Sequence, residues 1–187
     1  MNSKHILVLK GSPRVKGNSN LLADQVAAGA RACGADVESF GLHQMDIHPC
    51  DACNTCQETG VCVIKDDMQI LYPKLLAAEA IVIASPIYWF TLSAQVKVCI
   101  DRWYAMESSG GNALAGKQFG IVLTYGDTDP YTSGAINAIR TFQDMFRYLR
   151  ANMVGIVYGS ALNEGDVRNQ PDLMEHAYKL GQKLGSV

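Results

Sequence analysis

An apolar run, Ile6-Leu7-Val8-Leu9, stops at Gly11-Ser12-Pro13-Arg14-Val15-Lys16-Gly17-Asn18-Ser19-Asn20 and gives way to the helical spacing Leu21-Leu22, Val26, Ala30, Cys33. A strand, a polar turn and a helix start, in that order, form a geometry that binds phosphate. The first N–H groups of a helix lack intrahelical partners, and the helix dipole favours an anion there. Ser12, Asn18, Ser19 and Asn20 are short hydrogen-bonding side chains, and Arg14 offers paired N–H donors to a phosphate. Gly11 and Gly17 let the backbone turn and approach a ligand closely. The stretch has neither the spacing of a P-loop nor that of a dinucleotide fingerprint. An ordinary turn, with Asn18 or Ser19 as helix cap, uses the same residue types and remains open at this point.

The rest of the chain repeats the strand–helix alternation. Strands are expected at 5–10, 36–40, 80–85, 118–124 and 153–159, and helices at 20–33, 66–78, 93–106, 133–150 and 171–184. Such alternation implies an α/β fold, a doubly wound parallel sheet with helices on both faces. The 36–40 run is the least apolar strand and is expected at an edge. The 187 residues suit one domain, with 48% apolar and 18% charged residues, a globular composition. A net charge of −2 without a basic stripe argues against nucleic acid. No apolar run reaches membrane-spanning length, and no export signal precedes the first strand. Six cysteines in that setting point to a reducing compartment, the cytoplasm by default.

In a doubly wound sheet, ligands sit beyond the carboxyl ends of the strands where the winding reverses. The loops after strands one, three and four are therefore expected to converge. The second of these reads Pro86-Ile87-Tyr88-Trp89-Phe90, three adjacent aromatics suited to flanking a planar ring. The third reads Thr124-Tyr125-Gly126-Asp127, a polar turn whose backbone N–H groups can meet ring carbonyls and nitrogens. A hydrophobic helix cap and a plain turn are the alternatives for these two stretches. One ligand with a phosphate and a flat heteroaromatic ring satisfies all three loops, and FMN is such a ligand.

The motifs Gly11-Ser12-Pro13-Arg14, Gly17-Asn18-Ser19-Asn20, Ser85-Pro86-Ile87-Tyr88-Trp89, and Lys97 with Ile100-Asp101-Arg102 resemble those of the NAD(P)H-dependent FMN reductases of the flavodoxin-like superfamily. The resemblance implies a flavodoxin-like five-stranded parallel sheet of order 2-1-3-4-5. Residues 1–187 would form one FMN-binding domain with a long cysteine-bearing loop at about 42–65. It also implies that Ser12, Arg14, Asn18, Ser19 and Asn20 hold the phosphate, and that Pro86, Ile87, Tyr88 and Trp89 hold the ring. NAD(P)H would be the electron donor and a small molecule such as a quinone, free flavin, azo dye or nitroaromatic the acceptor. A homodimer or homotetramer is implied as well. No protein nucleophile is needed, because the chemistry belongs to the flavin.

The long loop carries Cys50, Cys53, Cys56 and Cys62, four thiols within thirteen positions. Compact runs at steps of three suit a [4Fe–4S] cluster better than a structural zinc site, and the spacing resembles that of iron–sulfur flavoproteins in the same family. Metal-free thiols and zinc remain alternatives. With a cluster, the protein would be an electron carrier between ferredoxin-like partners. The loop is expected to face the flavin edge or a dimer interface. Cys33 and Cys99 fall in helical patterns and are expected in the core.

Overall fold

The computed structural model describes residues 3–108 and 111–186. In chain order the elements are β1 (His5–Lys10), α1 (Asn18–Ala32), β2 (Asp36–Gly41), α2 (Thr55–Thr59), α3 (Met68–Ala77), β3 (Ala80–Tyr88), β4 (Thr91–Leu92) and α4 (Ala94–Asp101). They continue with β5 (Glu107–Ser108), β6 (Gly111–Asn112), β7 (Gln118–Tyr125), α5 (Ala135–Leu149), β8 (Asn152–Ser160) and α6 (Pro171–Ser186). The main sheet runs β2-β1-β3-β7-β8, all parallel. Leaving aside the two-residue strands, this is the expected order 2-1-3-4-5, with the 36–40 strand at the edge. β4 adds a short antiparallel partner to β3, and β5 pairs with β6.

The strands in the middle of the sheet are buried on both faces, and their side chains alternate between two cores. Leu7, Leu9, Ile81, Ile83, Phe119, Ile121 and Leu123 join α3, α4 and α5 on one face. There Phe146 stacks on Phe119 with ring centroids 4.4 Å apart. Ile6, Val8, Val82, Ala84, Val122 and Val157 join α1 and α6 on the other. A one-residue slip in any strand would exchange these faces, so the register is set by burial.

The second face is closed by two helices whose backbones touch. A Cβ on Gly29 of α1 would lie 2.0 Å from the Tyr178 carbonyl oxygen, and one on Gly181 of α6 would lie 2.0 Å from that of Val26. Glycine on both helices allows this approach.

The structure alters several sequence expectations. The helix expected at 93–106 ends at Asp101, and Arg102–Met106 continues as a 3-10 turn. The strand expected to end at 85 runs on to Tyr88 because Ile87 and Tyr88 pair with β4. Cys99 is buried as expected, and burial pushes its thiol up to about 12. Cys33 is exposed at the C-terminal end of α1, where Gly34 turns the chain and leaves the side chain outside the core.

Candidate functional site

The first loop is built around Asn20 and Asn18. Asn20 accepts the Ser12 N–H at 3.3 Å through Oδ1 and donates from Nδ2 to the Arg14 carbonyl at 3.0 Å. Asn18 donates to the carbonyls of Ala161 and Asn163 at 3.1 and 2.7 Å and accepts the Val167 N–H at 3.3 Å. Both asparagines therefore shape the loop and tether it to the segment after β8. Neither caps α1; Gly17 does, and it has no side chain with which to accept the helix's first N–H groups. Ser19 was the other expected cap. Its Oγ is buried and has no partner among the described residues, an orphan polar atom in the first turn of the helix. A buried hydroxyl without a partner is unfavourable unless a ligand supplies one.

At Gly17 a Cβ would come within 2.2 Å of Ser12 Oγ, so only glycine leaves this cradle its shape. Ser12 Oγ in turn accepts the Arg14 N–H at 3.2 Å. Arg14 is exposed, and among the described residues its guanidinium pairs with no carboxylate. A buried hydroxyl without a partner, a guanidinium that pairs with no carboxylate, a glycine cradle and a helix N-terminus whose cap residue has no side chain fit a phosphate group.

The three loops do converge. Ser12, Arg14, Gly17 and Asn18 share a cleft of about 270 Å³ with Pro86, Ile87 and Tyr88, and with Thr124, Tyr125 and Gly126. Ser93 locks the first loop to the second. Its Oγ donates to the Gly11 carbonyl at 2.9 Å, and its N–H donates to Ser85 Oγ at 2.9 Å. Sequence reasoning missed Ala161 and Leu162, which complete the wall from beyond β8. Neither residue carries a chemical signature; the visible trace was only that β8 ends beside β7. Tyr125 is buried. Burial, with a smaller push from the Asp129 carboxylate, raises its pKa, so the phenol stays a neutral donor.

A wider, more open cleft of about 550 Å³ adjoins the first and shares Ile87, Tyr88, Tyr125 and Gly126 with it. Trp89, Phe90 and Asp127 line this outer space and not the inner one. Trp89 is 92% exposed at the tip of the β3–β4 hairpin. A third cleft of similar size, about 540 Å³, lies between β8 and α6 and includes none of the expected site residues.

The cysteine loop is organised by a buried ion pair. Arg102 and Asp66 side chains are 0% and 1% exposed and 2.5 Å apart. Arg102 also donates to the His48 carbonyl at 2.8 Å and to Cys62 Sγ at 3.3 Å. Asp66 accepts the N–H groups of His48 at 2.9 Å and Met68 at 3.0 Å. The pair thereby ties both ends of the loop to the start of α3. Burial pushes the Asp66 carboxyl up, but the hydrogen bonds from Arg102, His48 and Met68 outweigh it and hold it below the usual carboxylate range. Burial likewise raises the Cys62 thiol, and bonds from Ile64, Arg102 and Tyr72 bring it below its ordinary value.

The four thiols expected to form one ligand set are not gathered. Cys50 and Cys53 are exposed, Cys56 is buried, and Cys62 is held by Arg102. Among the described residues no group of three or more His, Cys, Asp or Glu side chains is placed to hold a metal. The arrangement of the described side chains gives a [4Fe–4S] cluster no support. The loop also contributes no residue to either cleft at the sheet edge.

The profile of the NADPH-dependent FMN reductase family matches residues 5–164. An iron–sulfur flavoprotein of Methanocaldococcus jannaschii is 29% identical over 97% of this chain and 96% of its own. YwqN of Bacillus subtilis, named for NAD(P)H-dependent FMN-containing oxidoreduction, is 26% identical over 97% of this chain and 99% of its own. The solved NAD(P)H:quinone oxidoreductase of Methanothermobacter marburgensis superposes with a TM-score of 0.77 at 18% identity, covering 98% of this chain and 96% of that one, and shares the fold.

Proposed function

The chain belongs to the NADPH-dependent FMN reductase family, and from that premise we propose that it passes electrons from NAD(P)H, through FMN seated in the three-loop cleft, to a small planar acceptor such as a quinone or free flavin. The observation that carries this reading is the pair of joined clefts. The inner one has a phosphate cradle at one end, and the outer one opens beside its far wall.

In this reading Arg14 supplies the charge for the phosphate, and Ser19 Oγ and the α1 N-terminus supply neutral donors. Asn18 and Asn20 hold those donors in place through the loop backbone. Pro86, Ile87 and Tyr88 form one wall for the ring, and Thr124, Tyr125 and Gly126 the other. Tyr125 keeps its proton through the neutral range and can donate to a ring carbonyl. Asp127 sits at the rim of the outer cleft. When bound, FMN supplies hydride acceptance from a nicotinamide and electron delivery to the acceptor. The chain's task is to orient both reactants on one open side. Six free thiols support a reducing compartment.

The test is a titration of FMN into flavin-free protein under nitrogen, followed by NADPH and then a naphthoquinone. Bound flavin should lose its visible absorption on NADPH and regain it on the quinone. Absence of FMN binding up to about 100 µM, far weaker than a specific cofactor site, would overturn the reading.

A further inference from the structure

The β3–β4 connection has an unusual backbone for its sequence. Tyr88 pairs with Thr91, which leaves Trp89 and Phe90 as a two-residue hairpin loop. Their φ angles are +46° and +66°. Positive φ at both central residues is the mark of a type I′ turn, and that turn strongly prefers Asn and Gly. Two bulky aromatics there are strained, because Cβ crowds the backbone in the left-handed region. Strain of this kind persists only where the surroundings impose it.

The surroundings are visible. The N-terminus of α5 packs against the turn. Gly134, at φ +77°, lies so close that a Cβ on it would sit 2.5 Å from Phe90 Cα. Asn137 reaches back from the first turn of α5, and its Nδ2 donates to the Phe90 carbonyl at 3.1 Å. Trp89 remains 92% exposed and Phe90 55% exposed, so the strain gains no burial. Both residues line the outer cleft alone.

We propose that α5, through Asn137 and Gly134, clamps the Trp89–Phe90 turn in its disfavoured conformation so that the two rings stack on the second reactant rather than on the flavin. This rests on the function proposed above and assigns two specificity-determining residues and two positioning residues within that site. An aromatic face held at the rim favours a planar reactant, because ring stacking needs a fixed and offset partner. A turn free to swing would offer the same surface less often.

The strain and the stacking have separate readouts. Replacing the turn with its preferred pair, Trp89→Asn with Phe90→Gly, should raise the Tm of the flavin-free protein by about 4 °C. The same variant should keep FMN affinity within about twofold of the parent, and raise KM for a naphthoquinone about fivefold at little-changed kcat. Asn137→Asp keeps the size and removes the Nδ2 donor. It should raise the quinone KM about threefold with Tm within about 1 °C, as should Asn137→Ala. A Tm that stays level or falls in the Asn–Gly variant overturns the strain. A parent-like quinone KM in Asn137→Asp overturns the clamp. Failure of the parent protein to bind FMN would overturn the functional reading instead, while the Tm of the flavin-free variants still decides whether the turn is strained.

Discussion

The phosphate loop and the cysteine loop are both polar, both lie between a strand and a helix, and both looked like sites. They differ in where their hydrogen bonds go. In the cysteine loop Asp66 meets Arg102 and two backbone N–H groups, and Arg102 meets Asp66, a carbonyl and a thiol. The phosphate loop spends Asn20 on its own backbone and Asn18 on the segment after β8, yet among the described residues Ser19 Oγ has no partner and the Arg14 guanidinium meets no carboxylate. Apart from Arg102 Nε, which is buried without a partner among the described residues, the cysteine loop closes on its own groups, as a scaffold does. A loop that leaves donors open around a glycine cradle is poised for a ligand.

Removing the charge from the scaffold loop gives the largest expected effect. Arg102→Met leaves Asp66 buried without its partner and should cost about 3–5 kcal/mol of stability in urea unfolding. FMN affinity of the protein that remains folded should stay near the parent value. A large loss of FMN affinity there would erase the distinction between the loops. Acid acts on the same pair. The Asp66 carboxyl is held below the usual range in the folded chain. Its contribution is therefore complete above the unfolded value of about 3.9 and lost as pH falls through the folded one. Stability of the parent should drop in that acid window, and Arg102→Met should show a shallower drop.

Arg14→Ala probes the open loop and comes next in size. It should weaken FMN by about 1.5–3 kcal/mol, roughly tenfold or more, while leaving the unfolding midpoint of the flavin-free protein unchanged. Equal FMN affinity in parent and variant would remove Arg14 from the site. The smallest effect sharpens the comparison most, because its two halves have opposite sign. Ser19→Ala removes an unpartnered hydroxyl, so the flavin-free protein should gain about 1 kcal/mol and FMN binding should lose about 1 kcal/mol. A flavin-free protein destabilised by Ser19→Ala would show that the hydroxyl already has a partner.

The sheet was legible because its strands are continuous apolar runs bounded by polar turns. His5–Lys10 needed no tertiary information. The ring loops were legible as well, since topology alone brings the ends of β1, β3 and β7 together. Cysteine spacing is local and could not show that the partner holding Cys62 is Arg102, 40 positions away. The same long-range pair shows in the backbone at Arg102, where the expected helix changes to a 3-10 turn. The β4 hairpin was hidden for the opposite reason. Trp89 and Phe90 contradict the residue preferences of the turn they form, and a rule based on those preferences passes over them.

The backbone contact between α1 and α6 has a bearing on how the protein is made. α1 rests on the sheet, but the contact of Val26 with Gly181 needs α6, and Asn18 donates to Ala161 and Asn163 after β8. A chain folding from its N-terminal side therefore carries its first loop unfinished until the segment after β8 is in place. The first loop, encoded within the first twenty residues, therefore owes its shape to residues 143 and 145 positions further on.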